Sequence, residues 1–147
     1  MAAAVPRALR RIAVAQMCSS NDVEANLRVC ESLIQRAASL GSLAVFLPEA
    51  SDYISTSREE AMSLAQPLTG PFLSVISAAA ARHRIMVAIG VHERVSPDDG
   101  DPRFYNSHVL IDSTGSVVDV YRKVVRSVVG TRAPLTTIFL PTLIAPI

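Results

Sequence analysis

Two cysteines, a net charge of +1 and no long apolar run are the first features of this 147-residue sequence, and each excludes something. Cys18 and Cys30 are too few for a disulfide scaffold and fit a reducing compartment. Fourteen basic against thirteen acidic residues leave no electrostatic footprint for nucleic acid or an anionic membrane. No window approaches the roughly 18 to 20 uninterrupted apolar residues that span a bilayer. What remains is a chain that is 50% hydrophobic, at the upper end for a globular protein, with room for one domain and one sizeable core.

The first eleven residues carry three arginines and no acid. They lack room for the amphipathic helix of a mitochondrial presequence before the first strand begins. We expect residues 1–10 to be a flexible tail and the protein to be cytoplasmic, with mitochondria as the second choice.

Ile12 to Met17 reads as a short buried strand. Asn21, three residues before Glu24, resembles a capping box, and Val23, Leu27, Cys30, Ile34 and Ala37 follow at helical spacing. Gly41 suits the position just past the helix end. Leu43 to Leu47 is apolar on both faces, as a central parallel strand should be, and Pro48-Glu49 ends it. A short helix over Arg58 to Ala65 precedes a second that opens on Pro71 and runs to His83. Ile85 to Val91 is another wholly apolar run. Strand and helix alternating in this way predict an α/β fold with parallel strands and right-handed crossovers.

After Glu93 the pattern changes. Residues 96–102 form a polar loop, and Tyr105 to Ile111 and Ser116 to Tyr121 read as a hairpin joined by Asp112-Ser113-Thr114-Gly115. The tail from Val124 has three prolines, no acid and no clear period, with at most a short element over Thr136 to Leu140.

Ligands of open α/β sheets bind outside the carboxyl ends of the strands, and Glu49 lies at such an end. A partly desolvated carboxylate there has a raised pKa and can act as a general base; the plainer reading is a capping or solvated loop glutamate. Lys123, after the last strand, can hold an oxyanion as a fixed charge, but a lysine following an arginine is more often a surface residue. His83, His92 and His108 lack metal-ligand spacing and read as structural. Arg122 reads as an exposed charge or a structural pair. Asp98, Asp99 and Asp101 form a solvated turn. No P-loop, G-x-S-x-G elbow or G-x-G-x-x-G is present.

Glu49 and Lys123 gain weight together. Phe46-Leu47-Pro48-Glu49-Ala50, Gly90-Val91-His92-Glu93-Arg94, Tyr105 to Asp112 with Gly115, and Tyr121-Arg122-Lys123 resemble successive blocks of the nitrilase superfamily of carbon–nitrogen hydrolases, nearest to its Nit branch. The resemblance covers roughly Arg11 to Val124. It implies the N-terminal portion of an α-β-β-α sandwich, a mixed sheet with helices on one face. It also implies a Glu–Lys–Cys mechanism on a small linear ω-amide, with Glu49 as general base and Lys123 stabilising the oxyanion. The family needs no metal or organic cofactor and is commonly homo-oligomeric.

One departure is large. The family's nucleophilic cysteine lies well beyond its lysine, and after Lys123 this sequence has no cysteine and no glutamate. We therefore expect a partial hydrolase domain over 11–124 and an irregular, off-family tail over 125–147, of the kind that a frameshift, an alternative exon or intron read-through produces. An inactive isoform, or a fragment binding a small molecule or a protein partner, is the alternative to an amidase; an unrelated doubly wound binding domain stands third. Cys18, after the first strand and close to a helix start, is a weak substitute nucleophile and reads better as packing. Cys30 reads as core. With only half of the sandwich present, Val45, Leu47, Val87 or their neighbours should expose apolar surface, leaving the chain marginally stable or prone to aggregate.

Overall fold

A computed structural model describes residues 10–94 and 104–123. The loop expected over 96–102, the N-terminal tail to residue 9 and everything from 124 onward, including the element expected over Thr136 to Leu140, lie outside the described residues. Five strands and three helices alternate as β1 (Arg11–Val14), α1 (Val23–Ser39), β2 (Ser42–Phe46), α2 (Arg58–Leu64), α3 (Pro71–His83), β3 (Met86–Arg94), β4 (Phe104–Ile111) and β5 (Val117–Arg122). They form one sheet in the order β1-β2-β3-β4-β5. The first three strands are parallel; β4 pairs antiparallel with β3, and β5 antiparallel with β4. The fold is thus a mixed α/β sheet with α1 and α3 packed on one face.

The helices begin and end where local chemistry dictates. In α1 the N-cap is Asp22, whose carboxylate accepts from the Ala25 N–H at 2.9 Å, and not the expected Asn21. Asn21 instead donates its amide to Glu60 at 2.8 Å, which leaves the next acceptor in line to cap the helix. Gly41, with φ +74°, occupies the left-handed position after α1 at no steric cost. Pro71 is the first residue of α3, where its missing N–H costs nothing.

The core lies between the sheet and α1 and α3. Cys30, Ile34 and Ala37 of α1 and Phe72, Leu73, Ile76 and Ala80 of α3 close over Val45, Val87, Val109 and Ile111. Val45, Leu47 and Val87, expected among the exposed residues, are buried beneath these helices. Alternation along a strand places their neighbours on the opposite face, and it is there that apolar surface opens: Ile12 is 66% and Val14 78% exposed, with Phe46 and Tyr121 half exposed. No helix among the described residues is long and apolar enough to cross a membrane.

Between β2 and α2 the chain is pinned by a buried polar centre that periodicity does not reveal. Asn26 of α1 donates to the carbonyls of Ser20 and Asp52. The Asp52 carboxylate accepts from the His92 backbone N–H at 2.7 Å and lies 2.9 Å from the His92 ring nitrogen Nδ1, while that ring stacks on Tyr53. His92 is therefore a satisfied structural residue, as its spacing suggested. Every buried side-chain nitrogen or oxygen among the described residues has a partner.

Candidate active site

Glu49 stands where β2 ends and the chain turns sharply over β3. The Leu47 N–H donates to the Ala88 carbonyl, the Gly90 N–H to the Pro48 carbonyl, and the Ser51 N–H to the Gly90 carbonyl. The Ser51 hydroxyl closes the turn on the Pro48 carbonyl at 2.7 Å. Two backbone features allow so close an approach. A Cβ at position 90 would lie 2.6 Å from the Glu49 Cα, so only glycine fits there. Ala50 takes φ +56°, a left-handed conformation that costs a non-glycine residue about 1 kcal/mol or more. The carboxylate is thus fixed at its base by the main chain.

β5 delivers Lys123 to the same place. Its backbone N–H donates to the Asn106 carbonyl at 2.8 Å, extending the β4–β5 ladder by one residue. Its ammonium reaches Glu49 at 3.2 Å from Oε1 and 3.3 Å from Oε2. The Asn106 side-chain amide also donates to Glu49 Oε1. Residues 74 apart in sequence thereby meet on the helix-free face of the sheet.

The expected environment of Glu49 needs correction. The side chain is 59% exposed, not desolvated, and its pKa lies below the ordinary carboxylate value, not above it. The hydrogen bond from Asn106 is the largest cause and that from Lys123 the next; both favour the charged form and outweigh the small effect of burial. Glu49 is thus ionised at neutral pH.

An open cleft of about 320 Å³ surrounds the pair, lined by Glu49, Gly90, Asn106, His108, Tyr121 and Lys123. That volume sits at the lower end of small-molecule sites. A second cavity, beside Asp52 and His92, holds only about 10 Å³, room for a single water. Partial burial lowers the His108 pKa, so its ring lines the cleft neutral at pH 7. Among the described residues no group of three His, Cys, Asp or Glu side chains is arranged to hold a metal.

The two cysteines stand apart from this cleft. Cys18 is exposed and is not among the lining residues. Cys30 is fully buried in α1, and burial, aided by the Asp52 charge, pushes its thiol up to about 12, which removes it as a nucleophile near neutral pH. Arg122, read as an exposed charge or a structural pair, is paired: Nε and Nη2 meet the Glu93 carboxylate at 2.8 and 2.6 Å on the opposite face from Lys123, with the side chain still 47% exposed. Asn106 and Gly90 were not singled out from the sequence. Each left a signal: a side-chain amide inside a strand, where Asn is disfavoured, and a lone glycine inside an apolar strand, which marks close backbone approach.

The chain belongs to the carbon–nitrogen hydrolase family, whose model matches residues 11–134. It is 40% identical over 113 residues to deaminated glutathione amidase of Mus musculus, covering 76% of this chain and 35% of that protein. It is 36% identical over 113 residues to the nitrilase and fragile histidine triad fusion protein NitFhit of Drosophila melanogaster, covering 76% of this chain and 24% of that one. The crystal structure of the Caenorhabditis elegans NitFhit protein superimposes with a TM-score of 0.70 at 30% identity, over 90% of this chain and 30% of that one. The chain thus spans about a third or less of the length of the relatives it matches.

Proposed function

We propose that this chain carries the glutamate and lysine of a carbon–nitrogen hydrolase acting on a small linear ω-amide, with Glu49 as general base and Lys123 as oxyanion stabiliser. The observation that carries the reading is the Glu49–Lys123 contact inside a cleft of small-molecule size. A carboxylate held ionised can take the proton of an attacking thiol, and later that of the hydrolytic water. An ammonium beside it can hold the charge that develops on the amide oxygen in the tetrahedral intermediate. The thiolate attacks the amide carbon, the C–N bond breaks as Glu49 passes the thiol proton to the leaving nitrogen, and ammonia departs to leave a thioester. Glu49, ionised again, takes a proton from water, whose attack breaks the C–S bond, releases the acid and returns the proton to the sulfur. Kinship to a deaminated glutathione amidase supports a substrate that ends in a primary amide.

The thiol is the part this site does not hold. Cys30 is buried and Cys18 lies outside the cleft lining, which favours a second reading for the 147-residue chain by itself: an inactive form that binds a small molecule or a protein partner. One pair of assays separates the two. The chain alone should release no ammonia from a linear ω-amide. A chimera joining residues 1–123 to the remainder of the mouse relative should do so, and Glu49→Gln or Lys123→Ala should lower its kcat by about 100-fold or more. Turnover by the chain alone that survives both Cys18→Ala and Glu49→Ala would sink the mechanism.

A further inference from the structure

The Glu49 carboxylate ends a three-torsion side chain that is more than half exposed, so its main-chain anchors do not by themselves fix its two oxygens. Lys123 alone does not fix them either, because its ammonium lies 3.2 Å from one oxygen and 3.3 Å from the other. Asn106 removes the symmetry. Its side-chain amide donates to Oε1 only, so Oε1 receives two donors and Oε2 one. The same residue, through its carbonyl, accepts the Lys123 backbone N–H at 2.8 Å. Asn106 thus touches both members of the pair, and its neighbours Tyr105 and Ser107 point to the other face of β4, where Arg122 lies.

We propose that Asn106 is the positioning residue of this site: its side chain anchors Oε1 of Glu49, its main chain sets the register of Lys123, and Oε2 is left facing the cleft as the proton acceptor. The proposal rests on the reading of Glu49 as the base. An amide suits this task better than the alternatives. It neither gains nor loses a proton over the working pH range, so the anchor does not weaken as the base titrates. An aspartate of the same shape would repel Glu49, and a lysine would compete with Lys123 for the same oxygens.

The experiment uses the full 147-residue chain, labelled with 13C at the glutamate carboxyl carbons and with 15N throughout. In the wild type, the Asn106 side-chain amide resonances should move with the midpoint at which the Glu49 carboxyl titrates. Asn106→Leu, of similar size and without donors, should shift that midpoint upward, and Asn106→Asp should shift it further. The Lys123 backbone amide should keep its shift in both variants, because its acceptor is the main chain. An Asn106 amide indifferent to Glu49 ionisation would overturn the proposal without recourse to any variant. So would a Glu49 midpoint unmoved by Asn106→Leu but moved by Lys123→Met. Failure of the catalytic reading is read elsewhere: a chimera whose ammonia release is untouched by Glu49→Gln refutes the base, whatever the titration shows.

Discussion

Two glutamate–base pairs flank the same strands, one on each face of the sheet, and they are built to opposite ends. Glu93 is 8% exposed and holds Arg122 through two hydrogen bonds while also accepting from the Ser107 hydroxyl at 2.7 Å. Tyr105 covers the guanidinium from one side, 5.4 Å from its ring centre. Glu49 and Lys123 are half exposed and meet through one flexible ammonium. A planar fork locked on a buried carboxylate resists motion and exchange; a point charge on a long stem permits both. The difference teaches which acid is available to a substrate. Arg122 is itself 47% exposed, but its partner Glu93 is buried, and this pair ties the ends of β3, β4 and β5 together while both members of the Glu49–Lys123 pair stay open to solvent.

Breaking the Glu93–Arg122 pair should have the largest effect. Among the described residues, Arg122→Ala leaves Glu93 with Ser107 as its only side-chain hydrogen-bond partner. An uncompensated buried charge costs about 3–5 kcal/mol, and because Arg122 reaches water we expect a loss of about 2–3 kcal/mol in urea unfolding at neutral pH. A loss below about 1 kcal/mol would place the two pairs on the same footing. Gly90→Ala attacks the open pair from beneath: its Cβ meets the Glu49 backbone at 2.6 Å, and we expect about 2 kcal/mol of destabilisation together with a displaced Glu49 carboxyl resonance.

Lys123→Ala should change stability least, by about 0.5 kcal/mol or less at pH 7, because both partners are solvated. Its signature is in the pH dependence. The folded pKa of Glu49 is depressed, so its contribution is fully present above the unfolded value of 4.5 and is lost as pH falls through the folded pKa. Removing Lys123 raises that folded pKa and flattens the acid limb of melting temperature against pH below 4.5. An unchanged acid limb would mean that Asn106 alone holds the carboxylate.

Much of the fold was legible because its signals are local. The proline at the start of α3 and the apolar run of β2 mark those elements within a residue, while β3 runs three residues past the end of its apolar run, to Arg94. The capping residue of α1 was misplaced by one position because Asn21, equally suited to the task, is engaged by Glu60 from another helix. At the site, the strand end exposed Glu49, but its link to Lys123 came from resemblance to a family and not from any local rule. The exposure of Glu49 and the role of Asn106 depend on which face of the sheet is bare and on pairings between distant strands. Neither is written in the residues around them.

Arg122 ends β5 and Lys123 follows it directly, and an extended chain sends consecutive side chains to opposite faces. What decides which goes where is a bulge: Leu110 pairs with Asp119 and Ile111 with Val117, so Val118 has no counterpart on β4. Counted regularly from the hairpin turn, Arg122 would stand opposite Asn106 on the bare face, and Lys123 would pass to the helix-covered side. Val118 acts as a spacer one residue long. Ironing the bulge flat would exchange the addresses of guanidinium and ammonium without changing a single side chain.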